Sequence, residues 1–168
     1  ALGLILIFLP YFPYSKHAHL FMGPLNIMAA TDRKSMAALE KIDFEDDDIE
    51  QFGAAQIQHL PQTQLLDGYA CIQCSRCQDA CPAYETGKEL SPSALEINKR
   101  YFFNENLDLL AKGEAIDKAL TDWMLTEEAA WSCTTCGYCV EVCPVGNEPM
   151  VDILRARQDL VMIESNFP

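Results

Sequence analysis

Cys71-Ile72-Gln73-Cys74-Ser75-Arg76-Cys77-Gln78-Asp79-Ala80-Cys81-Pro82 is answered 62 residues later by Cys133-Thr134-Thr135-Cys136-Gly137-Tyr138-Cys139-Val140-Glu141-Val142-Cys143-Pro144. The two runs share the spacing C-x2-C-x2-C-x3-C-P and hold all eight cysteines of the chain. Three thiols on one tight loop converge from a short segment, and a fourth follows beside a proline. This is the ligand pattern of an iron–sulfur cubane. Zinc is served by four ligands, often two C-x2-C pairs, which leaves the third cysteine of each run without a place. Disulfides need an oxidising compartment and side chains that face each other, which this spacing does not offer.

In two-cluster ferredoxins the cysteine before proline ligates the other cluster. The expected sets for two [4Fe–4S] clusters are therefore Cys71, Cys74, Cys77 and Cys143 for cluster one, and Cys133, Cys136, Cys139 and Cys81 for cluster two. Such a crossing joins the two halves through metal, so fold and clusters are expected to stand or fall together. Gly137 follows Cys136, where a bare backbone can approach sulfur; Ser75 holds the equivalent place in the first run. Ile72, Ala80, Ala83, Val140, Val142 and Val145 are expected to line the clusters and limit water.

Around the cysteines the pattern is helical. Ser91-Pro92 reads as an N-cap followed by proline at the first helical position, with Ala94, Ile97 and Tyr101 on one face. Residues 115–125 repeat that pattern around Leu120, Trp123 and Met124. Thr126 is placed to cap the next helix, with Glu127 and Glu128 near its positive end. A last helix starts near Pro149 and turns Met150, Ile153, Leu154 and Val161 inward. Strand alternation with hairpin turns is absent, so the expected fold class is all-α.

Working outward, the chain of 168 residues divides into three zones. Residues 1–30 are apolar, interrupted by Lys16, His17 and His19. Residues 31–60 read as an acidic linker, with seven acids in the eleven residues from Glu40 to Glu50. Residues 61–168 form the cysteine-bearing domain. The net charge of −13 argues against nucleic acid, whose phosphates need clustered Lys and Arg. The acids lie mostly beyond residue 39, which suits a redox partner with a basic docking face as well as a plain solvated surface. No general base, nucleophile or G-x-G-x-x-G nucleotide loop is visible.

The chain opens on Ala1 to Leu9 without a charge, then Pro10-Tyr11-Phe12-Pro13-Tyr14 and Lys16. A bilayer takes about 20 apolar residues, so this run alone is too short to span one. The aromatic residues and Lys16 fit the end of a transmembrane helix, with further transmembrane helices outside this chain and the cluster domain on the cytoplasmic side of the cell membrane. A buried core helix or strand is the plainer alternative. His17 and His19 stand two residues apart, about 200° on a helix, so both cannot face one ring. His59 has no motif around it and reads as a loop or surface residue.

Leu66-Asp67-Gly68-Tyr69-Ala70-Cys71, Cys81-Pro82-Ala83, Thr86-Gly87-Lys88 and Leu90-Ser91-Pro92, with the second run, resemble the heterodisulfide-reductase-like iron–sulfur oxidoreductases. The likeness is to their membrane-bound branch, proposed to link electron-transfer flavoprotein to menaquinone, and it covers about residues 61–168. It implies an α-helical ferredoxin domain. Pro13-Tyr14-Ser15-Lys16-His17-Ala18-His19-Leu20-Phe21, with Pro24, is similar to the last membrane helix of the nitrate reductase cytochrome b subunit. That second resemblance implies a haem b ligated by His19, with Lys16 available to a propionate and the other axial ligand on a helix outside this chain. Together they imply electron flow between a soluble donor or CCG-type site, the two clusters, haem b and quinone. Two other readings share the cysteine pattern without haem: the iron–sulfur subunit of a glycolate- or glycerol-3-phosphate-type dehydrogenase, and a soluble ferredoxin-like carrier.

Overall fold

The computed structural model describes residues 2–30, 39, 42–45 and 51–168. Half of the expected acidic linker, residues 31–60, therefore lies outside the described residues. Eleven helices follow one another among them. They are α1 (Leu2–Tyr11), α2 (His19–Ala29), α3 (Gln62–Ala70), α4 (Arg76–Asp79), α5 (Pro82–Glu85), α6 (Pro92–Glu105), α7 (Leu107–Lys112), α8 (Leu120–Trp123), α9 (Glu127–Ser132), α10 (Tyr138–Glu141) and α11 (Pro149–Met162). The described residues contain no strand, only an isolated bridge between Gln56 and Ala119.

The cluster domain is a duplication. Helices α3 and α9 each end at the first cysteine of a run, α4 and α10 sit inside the runs, and α6 and α11 follow them. The two long helices begin at Pro92 and Pro149, 57 residues apart, and Arg100 recurs at the same interval as Arg157. Helix α4 meets α10, and α6 meets α11, so the halves face each other across the cysteine loops. The apolar core between them holds Leu60, Leu90, Leu95, Leu120, Met124 and Ile153. Beside it, Phe102 stacks on Trp123 with ring centroids 3.9 Å apart.

Local signals explain the starts of α6 and α9. The Ser91 side chain accepts the Ala94 N–H at 3.1 Å, and Pro92 begins α6. Thr126 accepts the Ala129 N–H at 3.1 Å and starts α9, whose first turn carries Glu127 and Glu128. Both are the capping arrangement expected for these residue types.

Two expectations are corrected. The inward face of α6 is not Ala94 and Tyr101, both exposed, but Leu95, Glu96, Lys99, Arg100, Phe102 and Phe103. The polar residues turn inward because charged partners meet them there. Residues 115–125 form only the four-residue α8. Gly113, left-handed at φ +71°, ends α7, and Leu120 N–H donates to the Ala55 carbonyl at 2.7 Å. That backbone pairing with residues 55–56 takes the place of the helix. Residues 51–60 accordingly pack on the domain. Gly53 (φ +88°) lets the chain pass so close to α11 that a Cβ would stand 2.4 Å from the Arg155 carbonyl oxygen.

Residues 1–30 hold two short helices rather than one continuous helix. Pro13 and the extended Ser15 (φ −90°, ψ 167°) separate them. No helix among the described residues is long and apolar enough to cross a membrane. Helix α1 buries none of its residues and exposes Leu2, Leu4, Ile5, Leu6, Ile7 and Leu9. Helix α2 instead packs against α3, with Gly23 and Asn26 buried.

Candidate metal centre

Each cysteine run is held by the same two devices. The first is a left-handed kink repeated twice per loop. Gln73 and Ser75 have φ of 57° and 61°, and their counterparts Thr135 and Gly137 have 55° and 74°. Glycine takes this conformation without cost, whereas a β-branched residue such as Thr135 is strained in it. The kinks aim backbone donors at sulfur: Gln73 N–H to Cys71 Sγ and Thr135 N–H to Cys133 Sγ, both at 3.4 Å. Gly137 thus serves the required φ, a reason beyond the close approach expected for it.

The second device is an arginine clamp. Arg100 donates to the carbonyls of Gly68 and Tyr69 at 3.1 Å each and to that of Cys71. Arg157 donates to the carbonyls of Ala130 at 2.9 Å and Cys133 at 2.6 Å. Gly68 and Ala130 are equivalent positions, as are Cys71 and Cys133. These arginines were missed in the cysteine pattern, although their shared distance from Pro92 and Pro149 is a readable signal.

The loops bring the thiols together in two groups. Cys71, Cys74, Cys77 and Cys143 line one cavity with Ile72, Ser75, Ser93, Glu96, Val145 and Asn147; Cys139 of the second run lines it too. Asn147 N–H donates to Cys143 Sγ at 3.3 Å. Around Cys133 and Cys139 the charges that act most strongly include Cys81 and Cys136. Burial, reinforced by the neighbouring sulfurs, pushes Cys77 and Cys139 up to about 12. Burial likewise pushes Cys71 up to about 11, against the Gln73 hydrogen bond. Thiols of this kind stay protonated at neutral pH unless a cation takes them.

All eight cysteines are free of disulfides. Among the described residues, no three cysteine sulfurs lie within 4.8 Å of one another. Ile72 and Val145, expected as lining, are found on the first cavity.

Behind the first cavity lies a buried ionic group invisible in the cysteine pattern. Lys99 Nζ meets Asp152 at 2.6 Å, Glu96 at 3.0 Å and the Gln64 carbonyl at 3.0 Å. Asp67, Glu96 and Asp152 each bring an oxygen within 4.8 Å of the others. Burial raises Asp67 to about 7 despite the opposing pull of Lys99, and it raises Glu96 as well. For Lys99 burial works downward, but the three carboxylates outweigh it and hold the ammonium charged.

Asp67 joins three parts of the chain. Its Oδ1 accepts Asn26 Nδ2 at 2.7 Å, and its Oδ2 accepts the Glu148 N–H at 3.1 Å. Its carbonyl accepts the Cys71 N–H at 2.9 Å and Asn147 Nδ2 at 2.7 Å.

In the N-terminal segment, His19 is half-buried and its Nδ1 meets the Lys16 carbonyl at 2.5 Å. That contact leaves Nε2 as the nitrogen open to a ligand. His17 is turned elsewhere: its Nδ1 meets Ser15 Oγ at 3.2 Å, and its ring lies edge-on to Phe8. Lys16 is exposed. His59 has a structural task, since its Nδ1 accepts the backbone N–H groups of Ala55 and Gln56.

The class to which this site points is matched by comparison. A family model described as a 4Fe-4S dicluster domain matches residues 67–147. Among individual proteins, the chain is 38% identical to the probable iron-sulfur-binding oxidoreductase FadF of Bacillus subtilis, over 97% of this chain and 28% of that protein. It is 29% identical to the EtfAB:quinone oxidoreductase of Syntrophomonas wolfei, over 99% of this chain and 26% of that protein. A probable membrane-anchored ferredoxin of Chromohalobacter salexigens is 29% identical over 77% of this chain and 22% of its own length. The chain thus spans about a quarter of the length of these relatives. No solved structure matches it. The matches support an iron–sulfur, electron-transferring role of oxidoreductase type. They do not bear on the cytochrome b resemblance of residues 13–21.

Proposed function

We propose that this chain is the relay of a quinone-linked, membrane-attached oxidoreductase. The observation that carries the reading is the crossed grouping of thiols, with Cys143 on the cavity of the first run and Cys81 beside the second. In it Cys71, Cys74, Cys77 and Cys143 hold cluster one, and Cys133, Cys136, Cys139 and Cys81 hold cluster two. Each [4Fe–4S] cluster, when bound, takes up and passes on one electron at a time. The protein's own part is to fix the thiolates, supply the Gln73, Thr135 and Asn147 N–H donors to sulfur, and keep water away with Ile72 and Val145.

His19 offers Nε2 as an axial ligand of a haem b, and Lys16 stands ready for a propionate. Donor electrons come from a soluble flavoprotein such as electron-transfer flavoprotein, or from a CCG-type site, and leave to menaquinone. The acidic body favours a donor with a basic docking face. The exposed apolar α1 supports a place at the cell membrane, alongside further transmembrane helices, with the cluster domain on the cytoplasmic side.

One experiment tests both ends in the full-length protein. Cys81→Ser should remove or alter the magnetic signal of the cluster held by Cys133, Cys136 and Cys139, and leave the other. His19→Ala should remove one b-type haem band, while His17→Ala should leave the bands intact. Loss confined to the cluster of Cys71, Cys74 and Cys77 in Cys81→Ser would overturn the crossing. An unchanged haem spectrum in His19→Ala would overturn the haem assignment.

A further inference from the structure

Helix α2 is a strip with one working face. His19, Gly23 and Asn26 stand at i, i+4 and i+7, which places all three along one side of the helix. Gly23 lies against Val145, where a Cβ would come within 3.3 Å of Val145 Cγ1. Asn26, only 3% exposed, donates from Nδ2 to Asp67 Oδ1 at 2.7 Å, to the Val145 carbonyl at 3.1 Å and to Asn147 Oδ1 at 3.4 Å. Val145 and Asn147 are walls of the cavity lined by Cys71, Cys74, Cys77 and Cys143.

Two short paths of bonds therefore run from Asn26 to that cavity. One passes through Asp67, whose carbonyl holds the Cys71 N–H at 2.9 Å. The other passes through Asn147, whose N–H meets Cys143 Sγ at 3.3 Å. Three side-chain hydrogen bonds from α2 to the cluster domain start at Asn26; two end on the wall residues Val145 and Asn147 and one on Asp67 behind them. His19 lies seven residues back along the same face, a rise of about 10 Å.

The second loop is the more open of the two: Thr134, Thr135, Cys136 and Tyr138 are exposed in it, against Cys74 and Arg76 in the first.

We infer that α2 joins the N-terminal segment to the relay, beside the bond from Asn104 Nδ2 to the Tyr14 carbonyl at 2.9 Å, and that Asn26 is the positioning residue of this junction. It seats the His19 helix on the cavity of Cys71, Cys74, Cys77 and Cys143, which makes that cavity the end of the relay facing the membrane segment. The loop of Cys133–Tyr138 is then the end facing the soluble donor. With the clusters bound, one electron at a time would enter from the soluble flavoprotein donor at the group of Cys133, Cys136, Cys139 and Cys81, pass to the group of Cys71, Cys74, Cys77 and Cys143, and leave to the quinone acceptor on the His19 side. This order rests on the proposed two-cluster function and adds a direction to it.

The test uses full-length protein with its native metal content, and assigns the α2-facing signal with Cys74→Ser. In Asn26→Leu, the midpoint of that signal should shift while the other signal keeps its midpoint. Amide exchange in residues 19–29 should speed up at least tenfold, with residues 133–141 unchanged. Gly23→Ala, which presses on Val145 without removing a hydrogen bond, should move the same signal to a smaller extent; it decides the matter if Asn26→Leu does not fold. A shift of the other signal, or faster exchange in α2 with neither signal moved, would overturn the inference. Wild-type protein without iron would overturn the underlying function instead, before any variant is made.

Discussion

The two cysteine runs share a backbone and differ in what surrounds them. Both have the paired left-handed kinks, and both have an arginine eight residues into the following long helix that binds the carbonyl of the first cysteine. Behind the first run, however, stand Asp67, Glu96 and Lys99. At the equivalent places behind the second run stand Ala129, Ile153 and Ala156, all buried. The duplication has kept what aims the thiols and changed what lies behind them. An ionic group next to one cavity, tied to α2 through Asn26, gives the two sites unequal neighbours.

The comparison is most strongly tested at Lys99. Lys99→Met removes the cation from between buried carboxylates and should destabilise the protein by about 3–5 kcal/mol, read from the urea midpoint. Replacing the group by apolar residues, with Lys99→Met, Glu96→Ile and Asp152→Leu together, should restore most of that loss. If the triple variant is as unstable as the single one, the ionic group is doing more than filling space that apolar residues fill elsewhere.

A smaller effect compares the clamps. Arg157→Ala leaves the Ala130 and Cys133 carbonyls without their donor and should cost about 2 kcal/mol. Arg100→Ala deprives three carbonyls and should cost about 3 kcal/mol on the same scale. Equal costs would mean that the clamps act through packing and not through these bonds. The smallest effect is a gain: Thr135→Gly relieves a β-branched residue at φ 55° and should stabilise by about 1 kcal/mol. Gln73→Gly should gain less, since glutamine is unbranched at Cβ.

The cysteine spacing made the duplication and the class of site legible, because metal ligation leaves little freedom in residue type or distance. Ser91-Pro92 and Thr126 were legible for the same reason: a cap acts within three residues. The inward face of α6 was not, because apolar periodicity cannot anticipate Glu96, Lys99 and Arg100 buried against Asp152 and main-chain carbonyls. The short α8 was hidden too, since its competitor is a backbone pairing with residues 55–56, more than sixty positions away. Asn26 carried no signal at all in an apolar stretch; its partners Asp67 and Asn147 are far off in the chain. Contacts between distant segments leave no local trace, and both the ionic group and the α2 junction are made of such contacts.

The most direct measurement is the metal and sulfide content of anaerobically purified protein. About eight iron and eight acid-labile sulfide per chain are expected from two cubanes. Two zinc ions per chain with no sulfide would contradict the assignment of both cysteine runs.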